Sequence, residues 1–218
     1  MKQFLSIVLL STVFLFSCKK DDINNTDEKV GHSRVTNFPE VSIKGDRLII
    51  LNEGGTYTEA GATALVKGAE VAYQTTGTVN TAVPGVYNLA YAAQNQDGFS
   101  ATDWRTVVVI GNDVASNDLS GNYDRAATGT TTVWTKTAPG VYEIDNPGGA
   151  ATGYGLKAIV VNYQGNKIAI PRQFGVNPDG SPIEVSSRAE TYNPETSSYS
   201  WIFLASGYGT AARDFVKQ

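Results

Sequence analysis

One stretch carries the clearest fold signal in this chain: Val83-Pro84-Gly85-Val86-Tyr87-Asn88-Leu89-Ala90-Tyr91-Ala92. A Pro-Gly turn opens it, and large apolar or aromatic side chains then alternate with smaller or polar ones. A period of two places successive side chains on opposite faces of an extended chain, which predicts a half-buried strand. No helical period is sustained around it, so the surrounding region is expected to be all-β.

Further strand and turn signals lie on both sides of this stretch. Apolar runs stand at residues 48–51 and 106–110, and Gln96-Asp97-Gly98 is typical of a hairpin turn because Asp-Gly tolerates positive φ. Short strands with turns at roughly 8–12-residue spacing indicate a β-sandwich. Residues 41–111 are therefore predicted to form a first β domain.

Three segments of this region resemble bacterial Ig-like domains of the type first described in a pesticidal crystal toxin. Residues 55–64 are similar to the Y-x-E-x-G-x-x-A segment of that family, residues 83–91 to its G-x-Y-x-x-x-Y strand, and residues 97–109 to its closing hairpin. The resemblance implies an Ig-like β-sandwich that acts as a spacer or adhesion module. An alternative is calcium binding by the acidic residues here, although their spacing lacks an oxygen-rich loop: Glu53, Glu59, Asp97 and Asp103.

A polar break at residues 111–117 precedes a second set of strand signals. Hairpins are predicted across Gln164-Gly165-Asn166 and across Asn193-Pro194-Glu195-Thr196. The strands of residues 117–218 are enough for a second antiparallel β-sandwich or a small barrel. The order of residues 119–123, 132–136 and 140–149 resembles the lipocalin-like C-terminal domains of uncharacterised Bacteroidota lipoproteins. That resemblance implies that the protein occurs together with Sus-type glycan-uptake systems.

The N-terminus is predicted to direct export. Lys2 precedes a largely apolar stretch at residues 4–16, which is shorter than the roughly 20 residues that a membrane-spanning helix needs. Leu15-Phe16-Ser17-Cys18 resembles a lipobox, with Phe16 in place of the usual smaller residue. Residues 1–17 are therefore predicted to be a signal peptide, and Cys18 the acylated residue that anchors the protein in a lipid membrane. The alternative is a plain secretory signal with an incidental cysteine.

The residues after Cys18 bear on localisation. Lys19-Lys20-Asp21-Asp22 resembles the charged signal that sends Bacteroidota lipoproteins to the outer face of the outer membrane, and the alternative is a simple hydrophilic tether. Residues 18–40 are polar and lack periodicity, which predicts a flexible tether after the lipidated cysteine. The expected localisation is the outer membrane, lipid-anchored and exposed at the cell surface.

Composition argues against several function classes. The chain has 17 basic and 21 acidic residues, and this net charge of −4 disfavours nucleic-acid binding. One cysteine rules out an internal disulfide, and one histidine makes a His-rich metal site or a Ser-His-Asp triad hard to build. We expect no metal, no cofactor and no catalytic residue. The hydrolase alternative needs two carboxylates, and no spacing selects a pair among Asp124, Asp145, Asp179, Glu184 and Glu190.

Aromatic residues cluster in the second domain. Flat aromatic faces stack on sugar rings, but β domains also need aromatic residues in their cores and cross-strand pairs. Tyr154 and Tyr208 each stand between two glycines, which favours an exposed loop position and makes them the leading ligand-binding candidates. Trp134 and Trp201 complete the candidate set.

The expected function is a non-enzymatic surface lipoprotein that binds glycan or another nutrient for a Sus-type outer-membrane transporter complex. The alternative is a structural or adhesion protein in which the Ig-like domain is a stalk and other proteins are the partners. Exposed coplanar aromatics favour the first function, and a broad apolar patch favours the second. A cleft with two carboxylates about 5–10 Å apart would indicate a hydrolase.

Overall fold

The computed structural model describes Thr26, Lys29, Val30, residues 33–151 and residues 155–218. The chain divides into two units, residues 1–37 and 38–218. In the first unit, β1 (Lys29–Val30) pairs antiparallel with β2 (Ser33–Arg34). The predicted signal peptide and Cys18 lie outside the described residues, as do residues 19–25, 27, 28, 31 and 32 of the predicted tether.

A sandwich of two sheets begins the second unit. Its strands are β3 (Pro39–Ile43), β4 (Leu48–Asn52), β5 (Ala62–Val66), β6 (Ala69–Glu70), β7 (Gln74–Thr76), β8 (Gly85–Gln94) and β9 (Ser100–Ile110). One sheet has the order β3-β5-β6 and the other β4-β9-β8-β7, with β4 parallel to β9 and every other pair antiparallel. The predicted β-sandwich is confirmed.

The hairpin of β8 and β9 follows the predicted pattern. Leu89, Tyr91 and Ala93 are buried, and they alternate with more exposed neighbours along β8. The turn adopts a φ of +87° at Gly98, which glycine tolerates because it has no Cβ. The Asn95 side chain accepts hydrogen bonds from the backbone N–H groups of two turn residues, at 3.0 and 2.8 Å. Strand and turn are therefore confirmed as predicted.

An ion pair lies in the sandwich interior. Arg105 is 0% exposed and pairs with Glu59, while its Nε donates to the Asp46 carbonyl at 2.9 Å. Burial alone would raise the pKa of Glu59, but hydrogen bonds from Tyr57, Tyr91, the Gly61 backbone and Arg105 lower it to about 2. The glutamate of the family-like motif therefore holds a buried arginine, and the calcium alternative gains no support from it.

The second β domain is a closed barrel. Its strands are β10 (Gly121–Arg125), β11 (Thr130–Ala138), β12 (Val141–Asp145), β13 (Lys157–Gln164), β14 (Lys167–Ala169), β15 (Gln173–Val176), β16 (Pro182–Asn193), β17 (Ser198–Leu204) and β18 (Arg213–Lys217). Neighbouring strands pair antiparallel in an up-and-down order; β13 pairs with β12, β14 and β15, and β18 closes the barrel against β10. Both predicted hairpins are present, and the barrel form of the prediction is confirmed.

Aromatic side chains fill the barrel interior. Trp134 and Trp201 stack with ring centroids 5.8 Å apart, and Tyr199 contacts both rings. Tyr199 and Phe215 also stack, at 4.6 Å. Side chains of this size fill a barrel of about eight strands, so packing alone can stabilise this disulfide-free domain.

Two strands are buried on both faces and join the sandwich to the barrel. On β9, Val107 faces the sandwich core, while Val108 and Ile110 face the barrel. On β13, Val160 faces the barrel core, while Val161 belongs to the same cluster as Val108. The outer face of the four-stranded sheet therefore packs directly on the barrel wall.

The segment predicted as a polar break is part of this junction. A 3₁₀ turn spans Asn112–Val114, and Val114 is fully buried in the shared cluster. The Gly111 N–H donates to the Tyr163 carbonyl at 2.8 Å, and the Gly165 N–H donates to Asp113 Oδ2 at 2.8 Å. These bonds attach the connecting segment to the barrel. The predicted domain limits, residues 41–111 and 117–218, stay a prediction.

Candidate functional site

A cleft of about 330 Å³ lies where β8 meets the barrel. We call it the interdomain cleft, and its lining residues are Val86, Asn88, Tyr163, Ala169, Ile170, Pro171, Arg172, Ser186, Ser187 and Glu190. The first two come from the sandwich and the rest from the barrel. Ligand sites occur preferentially at such domain junctions.

A β-bulge shapes one wall of the interdomain cleft. The register of β16 against β17 shifts between Arg188 and Thr191, and Ala189 adopts a φ of +54°. Ser187 Oγ donates to Glu190 Oε1 at 2.5 Å and accepts the Ile170 N–H at 2.7 Å. Bulges redirect side chains out of the strand alternation. This one brings the Glu190 carboxylate to the cleft wall.

The lining of the cleft is mixed in chemistry. It combines aliphatic side chains and Pro171 with an amide, a phenol, a guanidinium, a carboxylate and two serines. Burial, and then the charge of Glu190, raise the pKa of the Tyr163 phenol, which keeps it protonated and able to donate. Apolar surface with a few converging polar groups is typical of small-molecule sites.

An aromatic–cation stack fixes the position of Arg172 beside the cleft. Its guanidinium lies 4.2 Å from the Trp104 ring centroid and makes two hydrogen bonds to Glu184, at 2.8 and 3.1 Å. Arg47 lies over the same indole at 4.7 Å, and Phe174 packs against it at 5.9 Å. This stack joins the two domains, since Trp104 belongs to β9 and Phe174 to β15.

Sequence reasoning did not identify Trp104 or the cleft, and it named the cleft residue Glu190 only among the five carboxylates of the hydrolase alternative. One signal was present: Trp104, Thr106, Val108 and Ile110 occupy alternate positions of β9 and so share a face. An aromatic residue on the same face as that apolar series indicates a covered surface. What covers it could not be read from the local pattern.

A second cleft, of about 480 Å³, lies at the same domain junction. Its lining is mostly apolar, includes the amides of Asn52 and Asn112, and carries no charged side chain. We prefer the interdomain cleft, although it is smaller, because its lining adds a guanidinium and a carboxylate that can bind hydroxyl groups.

Trp134 and Trp201, predicted to bind ligand, lie in the barrel core. They are 2% and 0% exposed, and their indole N–H groups donate to the Tyr199 hydroxyl and the Pro147 carbonyl, at 3.2 and 3.1 Å. Neither indole presents a face to solvent, because both are packed inside the barrel. Both take part in core packing, the alternative interpretation of the aromatic cluster, and their ligand-binding role stays a prediction.

The two glycine-flanked tyrosines have different outcomes. Tyr208 is half-buried, with its ring edge-on to Phe203 at 4.9 Å and close above Gly148. Tyr208 is therefore less exposed than the predicted loop position implied. Tyr154 lies outside the described residues, so its role stays a prediction.

Within residues 33–151 and 155–218, no group of three or more His, Cys, Asp or Glu side chains could hold a metal ion. That described part of the chain also contains no helix long and apolar enough to span a bilayer.

Comparison with known proteins identifies the first β domain. Residues 41–109 match the family model of the bacterial surface protein Ig-like domain. The sandwich is therefore similar to the Ig-like domains of this family. The match indicates a bacterial surface protein and confirms the Ig-like part of the sequence resemblance.

The comparisons say less about the rest of the chain. No curated protein matches the chain. Among solved structures, it is similar to the crystal structure of the lipoprotein BT2262 from Bacteroides thetaiotaomicron, with 28% sequence identity over 83% of this chain and 100% of that one. The TM-score is 0.37, which does not establish a common arrangement of the whole chain. The lipocalin-like resemblance of the barrel stays a prediction.

Proposed function

We propose that this protein is a lipid-anchored surface protein that binds a glycan, without catalysis, in the interdomain cleft. One observation carries the proposal: the cleft lining combines apolar side chains with Asn88, Tyr163, Arg172 and Glu190. A sugar presents both apolar C–H faces and hydroxyl groups, and this lining offers partners for each. Delivery to a Sus-type outer-membrane transporter belongs to the same proposal.

The contribution of the Ig-like domain favours binding over a simple stalk. Val86 and Asn88 come from β8 and line the cleft together with barrel residues. Asn88 Oδ1 accepts a hydrogen bond from the Thr106 hydroxyl at 3.1 Å, and that hydroxyl also lies 2.8 Å from the Arg172 carbonyl. A spacer would not need to build part of a cleft with the next domain.

The carboxylates of this cleft support the non-catalytic form of the proposal. Glu190 is the one carboxylate that lines it, and Ser187 already donates to it. Glycoside hydrolysis uses a pair of carboxyl groups about 5–10 Å apart. The hydrolase alternative therefore requires a second acidic group that the cleft lining does not supply.

The test is a glycan array on the purified full-length protein, followed by calorimetry on the strongest ligand. Asn88→Ala and Glu190→Gln each remove a polar partner and should weaken binding by several-fold to about tenfold. The matched control is Glu195→Gln on the exposed turn before β17, which should leave affinity unchanged. The proposal is contradicted if neither cleft variant changes the glycan affinity, or if no glycan binds. Either result favours the adhesion alternative.

Membrane anchoring has a separate test. Cys18→Ala removes the only cysteine and therefore the acylation site. The variant should move from the membrane fraction to the soluble exported fraction, because the acyl chains supply the membrane affinity. Complete retention in membranes would show that the anchor was assigned wrongly.

A further inference from the structure

Two arginines point into one end of the barrel. That end, which we call the barrel mouth, is formed by the turns after β10 and β17 and by the segment Asn146–Gly149. All four residues of the segment are buried, so the chain folds into the opening here. Gly149 adopts a φ of +54°, and a Cβ on it would lie 2.6 Å from Arg125 Cδ and 2.7 Å from Phe215 Cε1.

Arg213 is the deeper of the two arginines. It begins β18 and shares its inward face with Phe215, and it is 6% exposed. Its Nη1 donates to the carbonyl groups of Phe203 and Ala211, both at 3.2 Å, and its Nη2 donates to the Tyr208 carbonyl. Its Nε is buried and has no acceptor among the described residues.

Arg125 ends β10, the strand beside β18. The pairings of Tyr123 with Lys217 and of Asp124 with Val216 place Arg125 level with Phe215. Its Nη1 donates to the Gly149 carbonyl at 3.0 Å, and its Nε is also buried without an acceptor among the described residues. Burial, and then the charge of Arg125, lower the pKa of Arg213, consistent with the closeness of the two guanidinium groups.

No carboxylate of the described residues neutralises either charge. Asp124 Oδ1 accepts from Thr131 and Gln218, and Asp145 Oδ1 accepts the Gly155 N–H. Carbonyl groups satisfy hydrogen bonds but carry no compensating charge. Arg213 is buried and Arg125 beside it is half-buried, and positive charge removed from water in this way is costly unless an anion accompanies it.

We propose that the barrel mouth is an oxyanion-binding site in which Arg125 and Arg213 hold a sulfate, phosphate or carboxylate group. The planar forks of the two guanidinium groups suit these oxygen-rich anions. The anion could be a free ion or a substituent of a saccharide, and Tyr208 stands beside Arg213, with the Arg213 Cζ 5.9 Å from its ring centroid. This site shares no residue with the interdomain cleft and does not depend on the glycan proposal.

The first test is calorimetry of the purified full-length protein with sodium sulfate, phosphate and acetate, against chloride at matched ionic strength. At least one oxyanion should bind and raise the melting temperature. Arg125→Met should weaken that binding tenfold or more, because it removes a charge-assisted partner. The affinity of Arg125→Lys should lie between those of the original protein and Arg125→Met, because lysine keeps the charge but lacks the planar guanidinium. Arg188→Met, on the exposed part of β16, is the matched control and should bind like the original protein.

The second test distinguishes the sources of the anion. Sodium glucuronate is compared with acetate, since both present a carboxylate and only one carries a sugar ring. Tighter binding of glucuronate indicates an acidic saccharide, and equal binding indicates a free anion; both support the site. Circular dichroism shows whether each variant is folded. If no oxyanion binds more tightly than chloride, or if folded Arg125→Met binds as well as the original, the proposal is wrong.

Discussion

Arg105 in the Ig-like domain and Arg213 in the barrel are both buried, at 0% and 6% exposure, yet their surroundings differ in charge. Arg105 has the Glu59 carboxylate as its partner, whereas Arg213 has backbone carbonyls and a neighbouring arginine. The first arrangement is neutral as a unit and complete within the fold. The second leaves positive charge without a counter-charge. We therefore assign a structural role to Arg105 and an anion ligand to Arg213.

The largest expected effect comes from breaking the neutral unit. Glu59→Gln leaves Arg105 buried without its counter-charge, and breaking such a pair costs about 3–5 kcal/mol. We expect about 3 kcal/mol, because the Glu59 side chain is 30% exposed. Urea denaturation at pH 7 measures it. The matched control is Glu143→Gln, in the exposed pair with Lys157, which should cost less than about 1 kcal/mol. Equal losses in both variants would contradict the structural role of Glu59.

Acid should produce a comparable loss. The pKa of Glu59 is lowered from 4.5 to about 2 in the folded protein, so its contribution is present above pH 4.5 and disappears as the pH falls towards 2. The difference in unfolding free energy between the original protein and Glu59→Gln should therefore shrink by up to about 3 kcal/mol over that range. Using the difference removes the parallel contribution of Asp103, whose pKa is also lowered in the fold. A difference that stays constant with pH would exclude the lowered pKa.

The unneutralised arginine should matter less to stability. Arg213→Met leaves three carbonyl groups without their donor, but it also removes a buried charge, so we expect a loss of about 1–3 kcal/mol. Chemical denaturation in buffer free of sulfate and phosphate measures it. A loss larger than that of Glu59→Gln would mean that Arg213 is chiefly structural.

Arg125→Met should have the smallest effect. The Gly149 carbonyl that it leaves still accepts from the hydroxyl groups of Thr128 and Thr130, at 2.8 and 2.9 Å. We expect a change below about 1 kcal/mol without a bound anion. A thermal melt in chloride checks this. A collapse of stability would make the variant useless as a probe of anion binding and leave Arg125→Lys for that purpose.

The strands and turns were predictable because their signals are local. The alternation at residues 83–92 and the Asp97-Gly98 turn lie within the hairpin that they specify, and the hairpins of the barrel have similar turns. Burial of the tryptophans was not predictable in the same way. Tyr199 lies 65 residues from Trp134 in sequence but accepts its indole N–H, and this contact exists only once the barrel closes.

The packing of the two domains was partly predictable from the sequence. The runs at residues 106–110 and 158–161 are apolar without alternation, which is typical of strands buried on both faces. The predicted boundary at the polar break treats the two domains as separate modules. That prediction therefore supplied no partner for the second face of either strand. In the structure those two faces cover each other.

The sequence by itself determined the all-β class, the Ig-like domain and the positions of the hairpins, because the side-chain period and the turn residues act over a few positions of the chain. Tertiary structure alone decided the interdomain cleft, the partner of Arg105 and the grouping of Arg125 with Arg213. Arg105 meets Glu59 across 46 residues of sequence, and the Arg125 guanidinium meets the Gly149 carbonyl across 24. No local pattern encodes which distant side chain will neutralise a charge, so the difference between a structural arginine and a ligand-binding one emerges only when the strands close around it.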